Sequence, residues 1–256
     1  MRFNSNQIKK IEKEISSRVD GKTLFDEFSR GRYSTDASVY QIKPLGVVLP
    51  KDTNDVLNIM DYSQRNSIPL LARGGGSSQC GQTVGESVVL DYSRHQNKIL
   101  ELNVEEKYVW VQPGVVLDHL NSYLKPYGLW FPVDVSTSSR ATIGGMSANN
   151  SCGSRSLYYG NMVHNVLAIE AILDDGSLHT FDQIKKNYLA TTNNQDRFYK
   201  IIDKFVNLRQ QVSKDIDENW PTTQRRVGGY NIDLIDPNGF NSSNLLVGSE
   251  GTLSLF

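Results

Sequence analysis

Apolar side chains near the start of the chain recur at the spacing of an amphipathic helix. They follow Ser5, a residue type that caps helix N-termini, and are Ile8, Ile11, Ile15 and Val19. The same spacing predicts further helices behind Thr53, over residues 117–124 and over residues 198–212. The chain therefore opens with a helix that packs one face against the protein.

Short apolar runs alternate with these helices and predict strands at residues 46–50, 68–72, 88–90, 99–102, 108–111 and 166–173. The run Asp174-Asp175-Gly176-Ser177 after the last of them predicts a hairpin. Strands 46–50 and 68–72, with the helix between them, form a β-α-β unit that leads directly into a glycine-rich run. This alternation favours an α/β or α+β fold and is unlike that of a repeat protein.

Two glycine-rich runs, ARGGGSS at residues 72–78 and ATIGGMSANN at residues 141–150, carry the candidate chemistry. Glycine admits positive φ and close approach to a ligand, and successive backbone N–H groups form concave sites for phosphate oxygens. Neither run has the spacing of a P-loop or of the G-x-G-x-x-G motif. One run predicts an anionic ligand, and two predict a large dinucleotide. Because the runs follow different strand groups, we expect a ligand that touches both to lie between two lobes.

Composition narrows the class of protein. The 256 residues suit one large domain or two small lobes, and a formal net charge of -1 gives no basis for binding nucleic acid or an anionic membrane. The N-terminus lacks the apolar core of a signal peptide, and no apolar run approaches the roughly 20 residues of a transmembrane helix. A cytoplasmic protein is expected.

Cysteine and histidine usage predicts neither a disulfide framework nor a metal site. Cys80 and Cys152 lie in glycine-rich segments, where a small residue suits a tight loop, and two cysteines cannot ligate a four-cysteine iron–sulfur cluster. The four histidines, His95, His119, His164 and His179, show no ligand spacing. No catalytic residue is assigned from these patterns.

Four motifs occur in family order: FPVDVST at 131–137, IGG at 143–145, Tyr159-Gly160, and VGSEGTL at 247–253. On them the chain resembles the FAD-binding domain of the vanillyl-alcohol-oxidase (PCMH-type) superfamily. It is most similar to the D-lactate, glycolate and D-2-hydroxyglutarate dehydrogenase branch, including its iron–sulfur-fused members. The alternative is a glycine-rich α/β domain whose loops only make turns.

The resemblance implies an α+β, two-lobed PCMH-type FAD-binding domain. Residues 1–31 would be an N-terminal helical extension and residues 32–256 the FAD-binding domain. Within that domain, a small α/β lobe would cover about 32–95 and a larger lobe about 96–256.

The resemblance also implies which residues bind FAD. Arg73 through Ser78 with Gln82 would take the pyrophosphate and the ribityl chain, Ile169 would lie beside the adenine, and the others would complete the site. The full set is Arg73, Gly74, Gly75, Gly76, Ser77, Ser78, Gln82, Pro132, Ser136, Thr137, Thr142, Gly144, Gly145, Ser147, Asn149, Ile169, Glu250 and Gly251, with Asn150 nearby. Single side chains have structural alternatives: Asn149 and Asn150 as turn caps, Thr137 as a helix cap, Arg73 as the partner of an acid.

Two departures from the family pattern shape the functional prediction. Relatives that bond FAD covalently often have histidine where this chain has Ser77, and serine cannot form that linkage, so noncovalent FAD is expected. The substrate-binding cap, its histidine-rich metal motif and the cysteine clusters are expected to be missing, because the sequence reaches Phe256 within the predicted final strand.

The resemblance therefore predicts the FAD-binding part of a flavin-dependent oxidoreductase. A D-2-hydroxy acid would pass a hydride to flavin N5, and the electrons would go to another carrier through a cap or iron–sulfur segment. The alternatives are a truncated or split non-catalytic FAD-binding subunit, and the same fold acting on another alcohol, a sugar lactone or a cell-wall nucleotide precursor.

Overall fold

The computed structural model describes residues 3–185 and 196–256, and the elements are numbered along those residues. The helices are α1 Ser5–Ser16, α2 Glu27–Arg32, α3 Thr53–Asn66, α4 Leu117–Leu124, α5 Ile143–Ala148, α6 Ser156–Tyr159, α7 Met162–Asn165, α8 Arg197–Gln211 and α9 Ser213–Asn219. The strands are β1 Lys22–Leu24, β2 Gly46–Leu49, β3 Leu70–Arg73, β4 Val88–Asp91, β5 Ile99–Asn103, β6 Tyr108–Val111, β7 Ile169–Ile172, β8 Leu178–Phe181, β9 Gln183–Lys185 and β10 Gly239–Asn241. Met1 and Arg2 of the predicted N-terminal extension lie outside the described residues.

The described residues fall into two compact units. The first lies within Met1–Phe131, Ser136–Gly145 and Asp174–Gly176, and the second within Pro132–Val135, Met146–Leu173 and Ser177–Phe256. The first unit includes residues on both sides of residue 96. The lobe bounds of about 32–95 and 96–256 stay a prediction.

A four-stranded sheet in the order β1-β2-β4-β3 organises the first unit. Both β2 and β3 pair in parallel with β4, and β1 pairs antiparallel with β2. All residues of β2 and β4 are buried, which is why these strands read as continuous apolar runs in the sequence. The predicted β-α-β unit is β2-α3-β3, and the later strand β4 lies between its two strands.

The helices and hairpin of the first unit follow the predicted apolar spacing. Ile8, Ile11 and Ile15 of α1 are buried. The strands β5 and β6 form an antiparallel hairpin. Its apolar residues pack against a cluster that contains Leu120 and Leu124 of α4. Burial of one apolar face supplies most of the stability of helices this short.

The start of α1 differs by one residue from the sequence expectation. Asn4 caps the helix instead of Ser5: the Asn4 side chain accepts the N–H of Gln7 at 3.0 Å, and the Asn4 N–H donates to Gln7 Oε1 at 2.8 Å. In the same way, Asp52 caps α3 and Thr53 is its first helical residue. A cap one position earlier still reaches the free N–H groups of the first turn, so sequence spacing alone does not separate the two choices.

The second unit contains the predicted hairpin, in which β7 and β8 pair antiparallel, and a further antiparallel pair of β9 and β10. Its long helix, α8, buries Phe198, Ile202 and Val206. The predicted final strand is wrong: among the described residues, the pairing of the last segment is a single antiparallel bridge between Leu255 and Ile172. Gly248, Glu250 and Gly251 have φ of 81°, 52° and 76°, and this left-handed backbone forms turns in place of a strand. In the part of the chain that the structure describes, no helix is long and apolar enough to cross a membrane.

Candidate functional site

The first glycine-rich run leaves the carboxyl end of β3 as a loop. Within residues 3–185 and 196–256, no protein acceptor takes the backbone N–H groups of residues 74–78. Gly76 has φ of 62°, a conformation that glycine adopts without a steric penalty. The loop ends with a side-chain hydrogen bond between Ser78 and Gln82, two of the predicted site residues. Five successive amide donors without a protein acceptor are the chemistry of an anion site.

The two glycine-rich runs meet inside the first compact unit. A Cβ on Gly74 would lie 2.1 Å from Thr142 Oγ1, and a Cβ on Gly75 would lie 2.2 Å from the carbonyl oxygen of Arg140. Side chains cannot be accommodated at these distances, so glycine is required at both positions. Residues 74–75 and 140–142 therefore share one site, which the separate strand groups in the sequence did not indicate.

Arg73, the last residue of β3, points its guanidinium at backbone carbonyls. Nη1 donates to Thr83 O at 3.0 Å and more weakly to Tyr33 O at 3.4 Å, and Nη2 donates to Thr35 O at 2.8 Å. The Arg73 Cζ atom also lies 5.2 Å from the centre of the Tyr33 ring. Burial lowers the pKa of this guanidinium, and the nearby Asp91 carboxylate partly opposes that shift. The acid partner considered in the sequence analysis is not what Arg73 binds.

The second glycine-rich run is a short helix, α5, where the sequence analysis expects a loop. The N–H of Ile143 donates to Val115 O at 2.8 Å, that of Gly144 to Pro113 O at 2.9 Å, and that of Gly145 to Thr142 Oγ1 at 3.3 Å. These donors are therefore used within the protein. A Cβ on Gly144 would lie 2.5 Å from the Cβ of Pro113, so this glycine permits close packing.

In the second unit, residues 132–135 of the FPVDVST motif contact the segment after α5. The Asp134 carboxylate accepts from Ser154 Oγ at 2.7 Å and from the N–H of Arg155 at 2.9 Å. Burial alone would raise the pKa of Asp134, but these two hydrogen bonds together lower it below its ordinary value. A Cβ on Gly153 would lie 1.8 Å from Asp134 O, so the two segments are in direct backbone contact. Asp134 thus links its motif to Ser154 and Arg155. The sequence analysis quoted Asp134 within the motif but assigned it no role.

The VGSEGTL motif joins the end of α5 through two backbone hydrogen bonds. The N–H of Gly248 donates to Ser147 O at 2.9 Å, and the N–H of Glu250 donates to Ala148 O at 3.0 Å. Glu250 and Gly251 are both exposed and lie in the left-handed region. The structure thus places Gly248 and Glu250 against the end of α5, and a shared cofactor site for Glu250, Gly251 and Ser147 stays a prediction.

Three buried asparagines hold this part of the second unit together. Asn150, fully buried with φ of 50°, accepts the N–H of Val163 at 3.0 Å. Asn161 donates to Arg226 O at 3.0 Å, and Asn231 donates to Val247 O at 2.7 Å. Among the described residues, Asn150 Nδ2 and Asn161 Oδ1 are buried without a hydrogen-bond partner. The sequence analysis named Asn150 only as a neighbour and missed Asn161 and Asn231, whose burial no local pattern shows.

The predicted site residues divide between the two units. Those in the first unit are Arg73, Gly74, Gly75, Gly76, Ser77, Ser78, Gln82, Ser136, Thr137, Thr142, Gly144 and Gly145. Those in the second unit are Pro132, Ser147, Asn149, Ile169, Glu250 and Gly251. Thr142, Ser147 and Ile169 are buried. In the described ranges no group of three or more His, Cys, Asp or Glu residues could hold a metal ion.

The donor set fits the pyrophosphate of a dinucleotide. Phosphate oxygens are acceptors, and the loop at residues 74–78 offers backbone N–H donors with a half-buried cation, Arg73, beside them. In the second unit, Asn150 Nδ2, Asn161 Oδ1 and Ser249 Oγ are buried atoms without a hydrogen-bond partner among the described residues. Buried polar atoms of this kind are uncommon unless a ligand or water satisfies them.

Comparison with known proteins indicates that the dinucleotide is FAD. The family model described as an FAD binding domain matches residues 44–182. The chain is 34% identical to a D-2-hydroxyglutarate dehydrogenase of Haemophilus influenzae, over 98% of this chain and 26% of that protein. It is 36% identical to a D-2-hydroxyglutarate dehydrogenase of Escherichia coli, over 91% of this chain and 24% of that protein. The chain spans about a quarter of the length of these curated relatives.

Solved structures share the fold. An alkyldihydroxyacetonephosphate synthase matches with a TM-score of 0.66 at 18% identity, over 96% of this chain and 38% of that one. This likeness confirms the predicted PCMH-type α+β fold. With a matching family model over more than half of its length, and an amide-rich loop suited to a pyrophosphate, the chain belongs to the FAD-binding domain family.

Proposed function

We propose that this chain is the FAD-binding part of a flavin-dependent oxidoreductase that oxidises a D-2-hydroxy acid. The observation that carries the substrate class is the 34% and 36% identity to two D-2-hydroxyglutarate dehydrogenases over nearly the whole of this chain. The relatives extend well beyond the matched region, so the substrate class is inferred from the relatives rather than from a substrate pocket.

In this proposal the first unit binds the pyrophosphate of FAD. The backbone N–H groups of residues 74–78, which have no acceptor among the described residues, donate to the phosphate oxygens. Ser77 and Gln82 extend the polar surface toward the ribityl chain. Gly144 and Gly145 act by close packing, because their N–H groups already donate within the protein.

Bound FAD supplies a flavin ring whose N5 atom accepts a hydride from the carbon that bears the hydroxyl group. The contribution of this chain is to bind and orient the cofactor. Glu250 lies on an exposed turn with left-handed backbone, and we assign it no role as a base. A small-molecule substrate and an electron acceptor would reach the flavin through a cap or iron–sulfur segment, and we propose a cytoplasmic location.

We further propose that FAD is held noncovalently, because Ser77 occupies the position at which covalent relatives carry histidine. Denaturing the purified, FAD-loaded chain should release all of the flavin into the supernatant, where absorbance near 450 nm and mass spectrometry identify it. Flavin that stays with the precipitated protein would contradict noncovalent binding. Failure to bind added FAD at all would contradict the proposed function.

The substrate class is tested by a hybrid enzyme. Replacing the matching segment of the Escherichia coli relative with this chain should give a protein whose flavin is bleached anaerobically by D-2-hydroxyglutarate or D-lactate but not by the L-enantiomers. The unmodified relative serves as the control. A hybrid that binds FAD but is reduced by no D-2-hydroxy acid would contradict the proposed substrate class.

A further inference from the structure

Arg73, the last residue of β3, directs its guanidinium at main-chain carbonyls beside the loop at residues 74–78. Three of its N–H groups donate to backbone carbonyls, those of Tyr33, Thr35 and Thr83. In the part of the chain that the structure describes, its guanidinium forms no ion pair, although Asp36 and Asp91 contribute favourable charge from further away. Arg73 therefore joins the end of β3 to two other stretches of main chain, residues 33–35 and Thr83.

The loop lies directly against this guanidinium. A Cβ on Gly76 would be 2.5 Å from Arg73 Nη2 and 3.0 Å from Arg73 Cζ, so the backbone of Gly76 contacts the side chain of Arg73. The positive φ of Gly76, 62°, belongs to this arrangement. Removing the guanidinium would remove the surface on which the loop rests.

The segment 33–41 is held beside the loop by contacts that depend on the same arrangement. Thr83 Oγ1 donates to Asp36 at 2.9 Å, and the Tyr33 hydroxyl donates to Asp91 at 2.6 Å. A Cβ on Gly81 would lie 2.6 Å from the Tyr40 ring, which places Tyr40 against the end of the loop. Arg73 precedes the loop and connects the start of this segment, at Tyr33 and Thr35, to Thr83, which follows the loop.

We infer that Arg73 is a positioning residue for the pyrophosphate loop: it holds the segment 33–41 and Thr83 against residues 74–78 and thereby fixes the loop in its anion-binding form. Its donors reach main-chain carbonyls, so it acts on the phosphate through the loop and through its charge. Lysine cannot replace it, because a single ammonium lacks the planar fork that serves three carbonyls at once. This inference rests on the proposed function only in taking FAD as the ligand of the loop.

The test uses the full chain, with Arg73→Met, Arg73→Lys and the control Arg65→Met. Arg65→Met is a matched control because it also removes a cation from the first unit. The Arg65 side chain is 75% exposed, and in the described structure it pairs only with Asp61. Two measurements are made on each protein. Amide hydrogen exchange of the FAD-free chain is followed in peptides covering 33–43 and 53–66, and the Kd for FAD is measured by flavin fluorescence.

We expect both Arg73 variants to exchange about tenfold faster than the wild type in 33–43, with no change in 53–66. Their Kd for FAD should rise about tenfold, the effect of losing about one hydrogen bond to a charged group. Arg65→Met should match the wild type in both. If Arg73→Met unfolds, Arg73→Lys, which keeps the charge and the stem, is judged by the same two measurements.

Unchanged exchange in 33–43 would overturn the inference. So would normal FAD affinity in Arg73→Lys combined with weak affinity in Arg73→Met, because charge alone would then account for the effect. A wild-type chain that binds no FAD contradicts the proposed function. If the wild-type chain binds FAD and Arg73→Met binds it with the same Kd, only the role of Arg73 is contradicted.

Discussion

Replacing Gly74 with alanine should weaken FAD binding by about tenfold or more and lower the thermal midpoint by about 4–8 °C. The added Cβ would lie 2.1 Å from Thr142 Oγ1, which is buried and cannot move away freely. Such overpacking costs about 1–3 kcal/mol, and in a protein of this size 1 kcal/mol corresponds to roughly 2–4 °C. The relief of the clash displaces the loop, and a tenfold change in Kd requires only about 1.4 kcal/mol. Flavin fluorescence titration and differential scanning fluorimetry measure the two effects.

Thr142 provides the control for this prediction. Thr142→Ala removes the nearest atom, so adding it to Gly74→Ala should restore part of the lost stability, with a favourable coupling free energy of about 1 kcal/mol in a double-mutant cycle. Thr142→Val keeps an atom in the position of Oγ1 and should not rescue. Gly85→Ala, whose Cβ would meet nothing nearer than 3.5 Å, should behave like the wild type. Equal midpoints for Gly74→Ala and Gly85→Ala would show that the contact with Thr142 does not constrain the loop.

Replacing Gly153 with alanine should have the larger effect on stability, a fall in the thermal midpoint of about 6–12 °C. The Cβ would lie 1.8 Å from the carbonyl oxygen of Asp134 and 2.3 Å from its Oδ1. Because the nearest atom is backbone, relief requires the two segments to separate, and the Asp134 hydrogen bonds with Ser154 and Arg155 would be strained. We expect a cost of about 3 kcal/mol, the upper end for overpacking.

The second unit offers its own matched glycine. A Cβ on Gly228 would meet nothing within 4 Å, so Gly228→Ala should leave the midpoint within about 2 °C of the wild type. Truncating the carboxylate with Asp134→Ala should not rescue Gly153→Ala, since the main-chain oxygen of residue 134 remains. Full rescue by Asp134→Ala would mean that the side chain, and not the backbone contact, requires glycine at 153.

The secondary structure followed closely from local sequence patterns. The strand predicted at 108–111 is β6, and the helix predicted from Phe198 onward is α8. The errors have local causes. Asn4 and Ser5 are both competent caps, and the turns around Glu250 use left-handed backbone that an apolar motif does not reveal.

The candidate site was predictable as a list of motifs but not as a geometry. The glycines of residues 74–76 and the family order of the motifs are visible in the sequence and led to FAD. The N–H groups of Gly144 and Gly145 donate to Pro113 and Thr142, respectively. The sequence does not show these contacts, because they form only on folding. The part played by Asp134 likewise depends on Gly153, 19 positions away in the printed sequence.

Apolar periodicity and glycine runs are local properties, so the sequence by itself determined the class of fold and a dinucleotide ligand, and the resemblance carried by its motifs implied FAD and the segments that could bind it. Only the tertiary structure decided which of those segments meet and which donors stay free. It inserted β4 between β2 and β3 and brought Thr142 against Gly74. It also turned Arg73 toward three carbonyls. The physical reason is that packing distances and hydrogen-bond partners are set between residues far apart in the chain, where no local pattern records them.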